Sequence, residues 1–387
     1  MFKKFLGCVR EYKLPSILTI IFMMLEALIE AIIPFITSQL VNEVRAGAEI
    51  AQILKLGGLL VIMAIISLAC GGTAAFTGAK ASTGFAKNLR HDLFYKVQSF
   101  SFGNIDKFSS SSLVTRMTTD VTNVQMSYMM IIRIAIRAPM LMIFSIIMAY
   151  VMGGALAMSF VFVIPFLVFG LLMISRNAMP AFRRVFKKYD RLNESIEENV
   201  RAMRVVKGFS KEEYEKQKFA TAAENIKKDF TFAERIVALN TPLMQFCAYF
   251  NMVFILTVGA NLVITSGGEA INVGEISAML TYGMQILIQL MMLSMIYVML
   301  TMSGESMKRI AEVLDEEPSI TNPENPVTSV ADGSVTFENV SFKYSSEAEK
   351  YALSNINLEI KSGMTVGIIG GTGSSKTSLV QLIARLY

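Results

Sequence analysis

Charged residues are scarce in this sequence, 17% of 387, against 53% apolar. That balance lies outside the range of an ordinary soluble domain and excludes one as the main architecture. Cysteine is sparse as well. Cys8, Cys70 and Cys247 stand singly and far apart, which excludes a disulfide framework and a cysteine-based metal site. The single histidine, His91, reads as a helix residue rather than a ligand. The first apolar run is too long for a signal-peptide core and lacks a small-residue cleavage site, so it is expected to be retained. No repeat of roughly 20–50 residues occurs, and the serine run at 109–112 is too short to count as low complexity. A net charge of +5 does not imply nucleic acid here, because the basic residues sit where membrane topology needs them.

The apolar residues are gathered into six runs, at 14–40, 53–70, 138–151, 155–174, 242–264 and 276–301. Each approaches the roughly 20 residues that cross about 30 Å of hydrocarbon as a helix. The third does so only if extended back past Arg133 and Arg137. The fold class expected is therefore a membrane all-α domain of six spans. Lys3, Lys4, Arg10 and Lys13 place the N-terminus in the cytoplasm by the positive-inside rule. The hairpins 42–49, 150–154 and 266–275 contain Arg45 as their single basic residue and are expected outside. The long connections 80–116 and 176–235, with Lys308 and Arg309, carry most of the positive charge and are expected in the cytoplasm.

Structureless connections of that length are uncommon, and both show helical spacing, Leu89, Leu93, Val97 and Phe100 in one and Leu192, Ile196, Val200, Met203 and Val206 in the other. They read as amphipathic extensions of the spans. Each is broken by an elbow rich in turn-forming residues, near 101–112 and 207–217, where Phe102, Phe108, Phe209 and Tyr214 offer apolar surface to a partner. Packing of those aromatics on their own helices is the alternative. Segment 314–330 is acidic, proline-bearing and aperiodic, a linker. From 333 the alternation of SVTFENVSFKY, then YALSNINLEIKSGMTVGIIG, predicts strands, including one at 365–369.

That last expected strand runs into GGTGSSKT (370–377) and then a helix through Leu379, Leu382 and Ile383, the context a phosphate loop requires. Gly370, Gly371, Thr372, Gly373, Ser374, Ser375, Lys376, Thr377 and Ser378 would wrap backbone N–H groups around phosphates at a helix N-terminus. Lys376 would meet the β- and γ-phosphates and Thr377 would ligate Mg²⁺. Ser375 departs from the general pattern, which has glycine before the lysine.

Taken together, LRHDLFYKVQSFSFGNIDKFSSSSLVTRMTTDVTNVQ (89–125), IRIAIRAPM (132–140), ENVRAMRVVKGFSKEEYEKQKF (198–219), RIAEVLDEEPSI (309–320) and VTFENVSFKY (335–344) make the chain resemble the ATP-binding-cassette (ABC) exporters, specifically bacterial heterodimeric, multidrug-type half-transporters. The resemblance covers the whole chain. It implies a transmembrane domain at 1–310, a linker at 311–332 and the N-terminal part of an α/β P-loop nucleotide-binding domain at 333–387. It also implies ATP and Mg²⁺ as cofactors, with Tyr344 stacking on adenine, the elbows acting as coupling helices, and a serine tolerated at 375. Export would follow from switching between inward- and outward-facing states in the cell membrane, with a different second half-transporter as partner in preference to a self-pair. The partners expected are thus that second half, membrane lipid and a small amphipathic or drug-like substrate, with no nucleic acid. The family's glutamine loop, signature sequence, second acidic magnesium motif and switch histidine would lie beyond residue 387. No catalytic residue is assigned, and the chain as given is expected not to hydrolyse ATP alone. A non-hydrolysing membrane subunit that pairs with an intact half is the alternative function; an ATP-independent channel or scaffold leaves the phosphate loop and Tyr344 unexplained.

Within the spans, Arg133 and Arg137 share a helix face and are read as snorkelling to the inner interface, with lining of an inward-facing cavity as the alternative. Asn251, Tyr282, Gln285 and Gln289 are expected to bond between helices. The 27 methionines are read as filler before adaptable pocket, and Pro34, Pro139, Pro165 and Pro242 as kinks or ends of spans.

Overall fold

The computed structural model describes residues 2–330, 332–344 and 348–387. Ala331 of the expected linker and 345–347 of the expected nucleotide-binding segment lie outside the described residues. A short helix, α1 (Phe2–Gly7), and a 3-10 turn (Arg10–Tyr12) precede α2 (Lys13–Ala46), α3 (Ile50–Gln98), α4 (Phe102–Phe108) and α5 (Ser110–Thr115). A π turn at Arg116–Asp120 leads into α6 (Val121–Gly153), followed by α7 (Met158–Arg201), α8 (Met203–Gly208), α9 (Glu212–Ala238), α10 (Asn240–Ser266) and α11 (Val273–Asp315). Strands β1 (Val335–Phe342) and β2 (Leu353–Ile360) and helix α12 (Lys376–Ile383) complete the order.

Six helices among the described residues are long and apolar enough to cross a membrane, the number that the runs predict. They are helices because hydrocarbon offers a peptide group no partner outside its own segment. Their lengths exceed the bilayer's need: the 49 residues of α3 extend for about 74 Å at about 1.5 Å per residue. The amphipathic continuations expected after the spans are thus the same helices carried on. The first elbow, expected as a turn, is built largely of the short helices α4 and α5, whereas the second is a break at 209–211 between the end of α8 and the start of α9.

By internal contacts the chain divides into two compact units, 13–81 with 128–301, and 1–12 with 82–127 and 302–387. In the first, Leu156, Phe160, Ile255, Met279, Tyr282 and Ile286 form the main buried cluster. A second cluster places Val163, Leu167 and Leu171 of α7 against Cys247 and Leu287. The spacing of three and four along α7 is that of one helix face. On α2 the buried stripe is Met23, Ala27, Ala31, Pro34 and Ser38, and its small residues admit Leu141 of α6. Pro34, Pro139 and Pro165 lie inside helices, whereas Pro242 sits in the first turn of α10, where its missing N–H is no loss.

In the second unit, Phe85, Leu89 and Leu93 of α3 are buried. The Cys8 thiol is pushed up to about 11 by burial and then by its contact with Asp92, so it stays protonated and unreactive at neutral pH. Strands β1 and β2 pair antiparallel, with Val335 opposite Ile360 and Phe337 opposite Leu358. The strand expected at 365–369 does not form, and Ile369 is 98% exposed. An interior strand needs a neighbour on each side to satisfy its N–H and C=O groups. Among the described residues β1 and β2 pair with one another alone, so the 365–369 backbone has no ladder to join.

Gly274, at the start of α11, marks a close approach of two backbones. Its N–H donates to Asn42 Oδ1 at 3.0 Å, and a Cβ added there would collide with the Ser38 carbonyl oxygen. Gly274→Ala is therefore expected to destabilise the protein by roughly 1–3 kcal/mol, read as a lowered unfolding temperature. Gly58→Ala, whose methyl would meet nothing within 4 Å, should leave that temperature unchanged or slightly raised.

Candidate functional site

The loop 370–377 is folded around its own lysine. Lys376 Nζ donates to the carbonyls of Gly370 and Gly371 at 2.9 and 2.8 Å and lies 3.2 Å from Ser374 Oγ. Ser374 Oγ in turn donates to the Gly371 carbonyl at 2.9 Å. Two positions are left-handed, Gly373 at φ 85° and Ser375 at φ 58°. The second explains why the general pattern has glycine there, since a side chain at positive φ is strained and serine is small enough to be held. At Gly370 an added Cβ would come 2.7 Å from Ser374 Oγ, so the cradle needs that glycine. Exposed backbone at a helix N-terminus, the Lys376 ammonium and the Thr377 hydroxyl form a set of groups suited to phosphate and a hard cation.

Tyr344 does come close to this loop. Its hydroxyl is 2.5 Å from Ser378 Oγ, and its ring stands edge-on to Phe342 and Tyr387 at 4.9 and 5.0 Å. The structure thus brings the aromatic expected for adenine and the start of α12 together.

Helix α4 packs on both ends of the segment that follows α11. Asn104, fully buried, donates through Nδ2 to Glu316 Oε1 and the Glu317 carbonyl, each at 3.0 Å. Its Oδ1 accepts from Ser319 N at 3.0 Å and from Ser101 Oγ at 2.8 Å. Lys107 adds an ion pair to Glu316 at 2.7 Å. On the other side of α4, the Phe102 N–H donates to the Leu386 carbonyl at 3.3 Å, and Tyr387 Oη donates to Asp106 at 2.8 Å. That bond pushes the Tyr387 hydroxyl up to about 12. Beyond α5, the widened π turn directs Arg116 and Asp120 toward α11: Arg116 Nη1 donates to the Arg309 carbonyl at 2.6 Å, and Arg309 Nε donates to Asp120 at 2.8 Å. Of the elbow aromatics, Phe108 is stacked on Phe100 at 5.9 Å with Arg116 over its face, and Phe102 lies against Tyr387. At the second elbow Phe209 and Tyr214 remain exposed. There α7 and α9 leave a groove of about 520 Å³ lined by Ile196, Val200, Met203, Val206 and Phe219, so this apolar face has no cover among the described residues.

Within the apolar helices runs a seam of polar pairs. Ser16 meets Tyr128 and Thr19 meets Thr77, at 2.7 and 2.8 Å. Tyr282 donates to the Ala31 carbonyl at 2.8 Å, Ser145 to Gln285 at 3.0 Å and Ser159 to Asn251 at 3.1 Å, the interhelical role expected of those residues. Arg137 finds acidic partners on α2. Its guanidinium pairs with Glu30 and reaches Glu26 at 3.8 Å, and a charge inside apolar helices is far less costly with such a partner than alone.

The family model described as the ABC transporter transmembrane region matches residues 16–291. The chain belongs to this family. Among relatives of this ABC transporter chain, the uncharacterized ABC transporter ATP-binding protein YfiB of Bacillus subtilis is 30% identical over 385 residues, covering 100% of the chain and 66% of the relative. The uncharacterized ABC transporter ATP-binding protein Rv1273c of Mycobacterium tuberculosis is 29% identical, covering 98% and 65%. A further one, YknU of Bacillus subtilis, is 29% identical over 77% and 51%. The chain spans just under two thirds of the length of the first two. Six apolar helices and the family match make it a multi-pass membrane protein of the ABC transporter family.

Sequence reasoning missed two features of this ABC transporter chain. Glu26 and Glu30, four apart in the first apolar run, mirror Arg133 and Arg137, four apart in another; matched spacing with opposite signs was the available signal. Asn104 was passed over because aromatics drew attention at the elbow, and a buried asparagine with five hydrogen bonds leaves no trace in a pattern of hydrophobicity.

The Glu316 carboxyl is held below its ordinary value, first by the Lys107 hydrogen bond and then by Asn104, against the opposing effect of burial. A depressed carboxylate contributes fully above its unfolded value of about 4.3 and loses that contribution as pH falls through the lowered one. Hydrogen exchange at 102–108, corrected for its intrinsic pH dependence, should accelerate on going from about pH 7 to below about pH 4, and Lys107→Ala should flatten that response. Asn104→Ala, which strands several buried partners, should speed exchange at the same amides already at neutral pH by an amount worth about 1–3 kcal/mol.

Proposed function

We propose that the chain is part of one half-subunit of an ATP-driven exporter that moves amphipathic or drug-like substrates out of the cytoplasm. The observation that carries this reading is the loop 370–377, with its lysine drawn over two glycine carbonyls, in the same chain as an exporter-type transmembrane region. The names of the relatives, each an ATP-binding protein, support it.

In this reading 1–310 is the transmembrane domain, 311–332 the linker and 333–387 the start of the nucleotide-binding domain. Tyr344 stacks on adenine, Gly370 to Ser378 cradle the phosphates, and Thr377 ligates Mg²⁺. Lys376 exchanges its bonds to Gly370 and Gly371 for charge-assisted ones to phosphate oxygens, which are about twice as strong as neutral ones. ATP, when bound, supplies the free energy of its hydrolysis to the transport cycle. The N-terminus and the nucleotide-binding segment face the cytoplasm at the cell membrane, as the positive charge of the extensions favours.

Pairing with a second half is supported by the uncovered groove between α7 and α9 and by exposed Phe209, at 74%; contiguous apolar surface of this kind marks interaction sites. A different chain, as in heterodimeric multidrug-type exporters, is the partner we propose. Helix α4 acts as a coupling element, since its contacts to 316–319 on one side and 386–387 on the other join the exit of the last span to the nucleotide segment.

The test uses the full-length protein, co-purified with its second half and reconstituted in nanodiscs. Lys376→Ala is expected to weaken ATP binding by about tenfold or more, equivalent to about 1.4 kcal/mol, and to abolish ATP-driven transport. Ser375→Gly should relieve the left-handed strain, worth about 1 kcal/mol, and bind at least as tightly. Unaltered nucleotide binding in Lys376→Ala would remove the phosphate-loop assignment.

A further inference from the structure

The four charges between α2 and α6 are not equally satisfied. Arg137 takes Glu30 directly and lies 3.8 Å from Glu26. After that pairing two groups remain. Glu26 Oε2 is covered by surrounding atoms and accepts no hydrogen bond, and Arg133 Nε is covered and donates none. Arg133 makes no ion pair among the described residues. Its charge acts on the Glu26 carboxylate, yet the two do not join in a hydrogen bond. One acceptor and one cationic donor are therefore left over in the same seam, inside helices apolar enough to span a membrane, where an unmet polar group is most expensive.

Helix α3 is notched beside both of them. A Cβ at Gly71 would lie 3.1 Å from Glu26 Oε1, and one at Gly78 would lie 3.0 Å from Arg133 Cδ. The two glycines are seven residues apart, two turns of helix, and so share a face. The notch at Gly71 seats the Glu26 carboxylate, and the notch at Gly78 seats the stem of Arg133. Access is retained, because the Glu26 side chain is 19% exposed and Arg133 is half-buried rather than fully enclosed.

The sum of charge decides the ligand. Two glutamates and two arginines cancel, so a simple anion brought to Arg133 also approaches Glu26, and a simple cation brought to Glu26 also approaches Arg133. A head carrying both signs satisfies both groups at once. We propose that Glu26 and Arg133 form a receptor for the head of a zwitterionic amphiphile, an ammonium on the carboxylate and a phosphate or carboxylate on the guanidinium. Partly buried Met140 and Phe144, beside Ala27 and Leu141, offer apolar surface to its tail. This deepens the exporter reading by naming a substrate class and rests on it for the word substrate.

Three fluorescent single-tailed probes with one common tail, bearing a phosphocholine, a phosphoglycerol or a trimethylammonium head, distinguish the possibilities. Each is titrated by anisotropy, without ATP, into the full-length transporter with its second half in nanodiscs. The zwitterion is expected to bind about tenfold or more tightly than either other probe, and Glu26→Gln and Arg133→Gln should each remove that preference. The comparison of probes on the unaltered protein needs no variant, so a variant that fails to fold does not block the test. Equal binding of the three, preference for the anion alone, or a preference kept in both variants would overturn the proposal. Adding ATP separates this site from the reading beneath it. Zwitterion preference with no ATP-driven movement of any probe would leave the receptor and sink the exporter; ATP-driven movement without head-group preference would do the reverse.

Discussion

Inside a bilayer's hydrocarbon no water stands ready for a peptide N–H, a hydroxyl or a carboxylate, so each polar group of the six long helices has to find its partner within the protein. The backbone meets that demand by helix formation, and the side chains meet it by the seam that links Ser16 to Tyr128, Thr19 to Thr77, and Ser145 to Gln285. Arg137 is the extreme case. A guanidinium cannot shed its proton to escape the penalty, and two glutamates on α2 answer it. The packing of α2, α3 and α6 follows, with Gly71 and Gly78 small where Glu26, Arg133 and Thr19 need room, and Ala27 and Ala31 small where Leu141 packs.

A different rule governs the other unit, where water is available and polar contacts act as connectors. Asn104 ties α4 to 316–319, Arg116 and Asp120 tie the π turn to α11, and Tyr387 ties the segment after α12 to Asp106. Individually such bonds contribute about 1 kcal/mol each, but Asn104 and Asp120 are buried, and breaking one side of a buried network strands the other. The elbow is thus held by satisfied polar groups at least as much as by the aromatics around it.

Much of this was legible in the residues. Six apolar runs gave six membrane-crossing helices, because the length of a run and the lack of charge in it report directly on burial in hydrocarbon. The periodicity of Leu89 and Leu93 placed the buried face of α3 beyond its span, and GGTGSSKT marked a glycine-bearing loop before a helix. What stayed hidden depended on partners remote in sequence. Residues 365–369 have the composition of a strand, but a strand exists only with neighbours to bond, and β1 and β2 do not reach it. The partners of Arg137 were hidden because Glu26 and Glu30 lie more than a hundred positions away, two acids within a largely apolar run. Asn104 shows the same limit, since its partners at 316–319 adjoin it only after folding.

The pairing of Arg137 with Glu30 is the claim on which the membrane part of this account stands, and a charge-reversal cycle tests it most directly. Unfolding temperatures would be measured for the full-length protein, for Arg137→Glu, for Glu30→Arg and for the double exchange, in one detergent or nanodisc preparation. The account predicts that each single change, by setting like charges together in the seam, is destabilising by about 3–5 kcal/mol, and that the double exchange restores most of the loss. If the double exchange is as damaged as the two single changes summed, Arg137 is not held by Glu30, and the seam built around that pair is wrong.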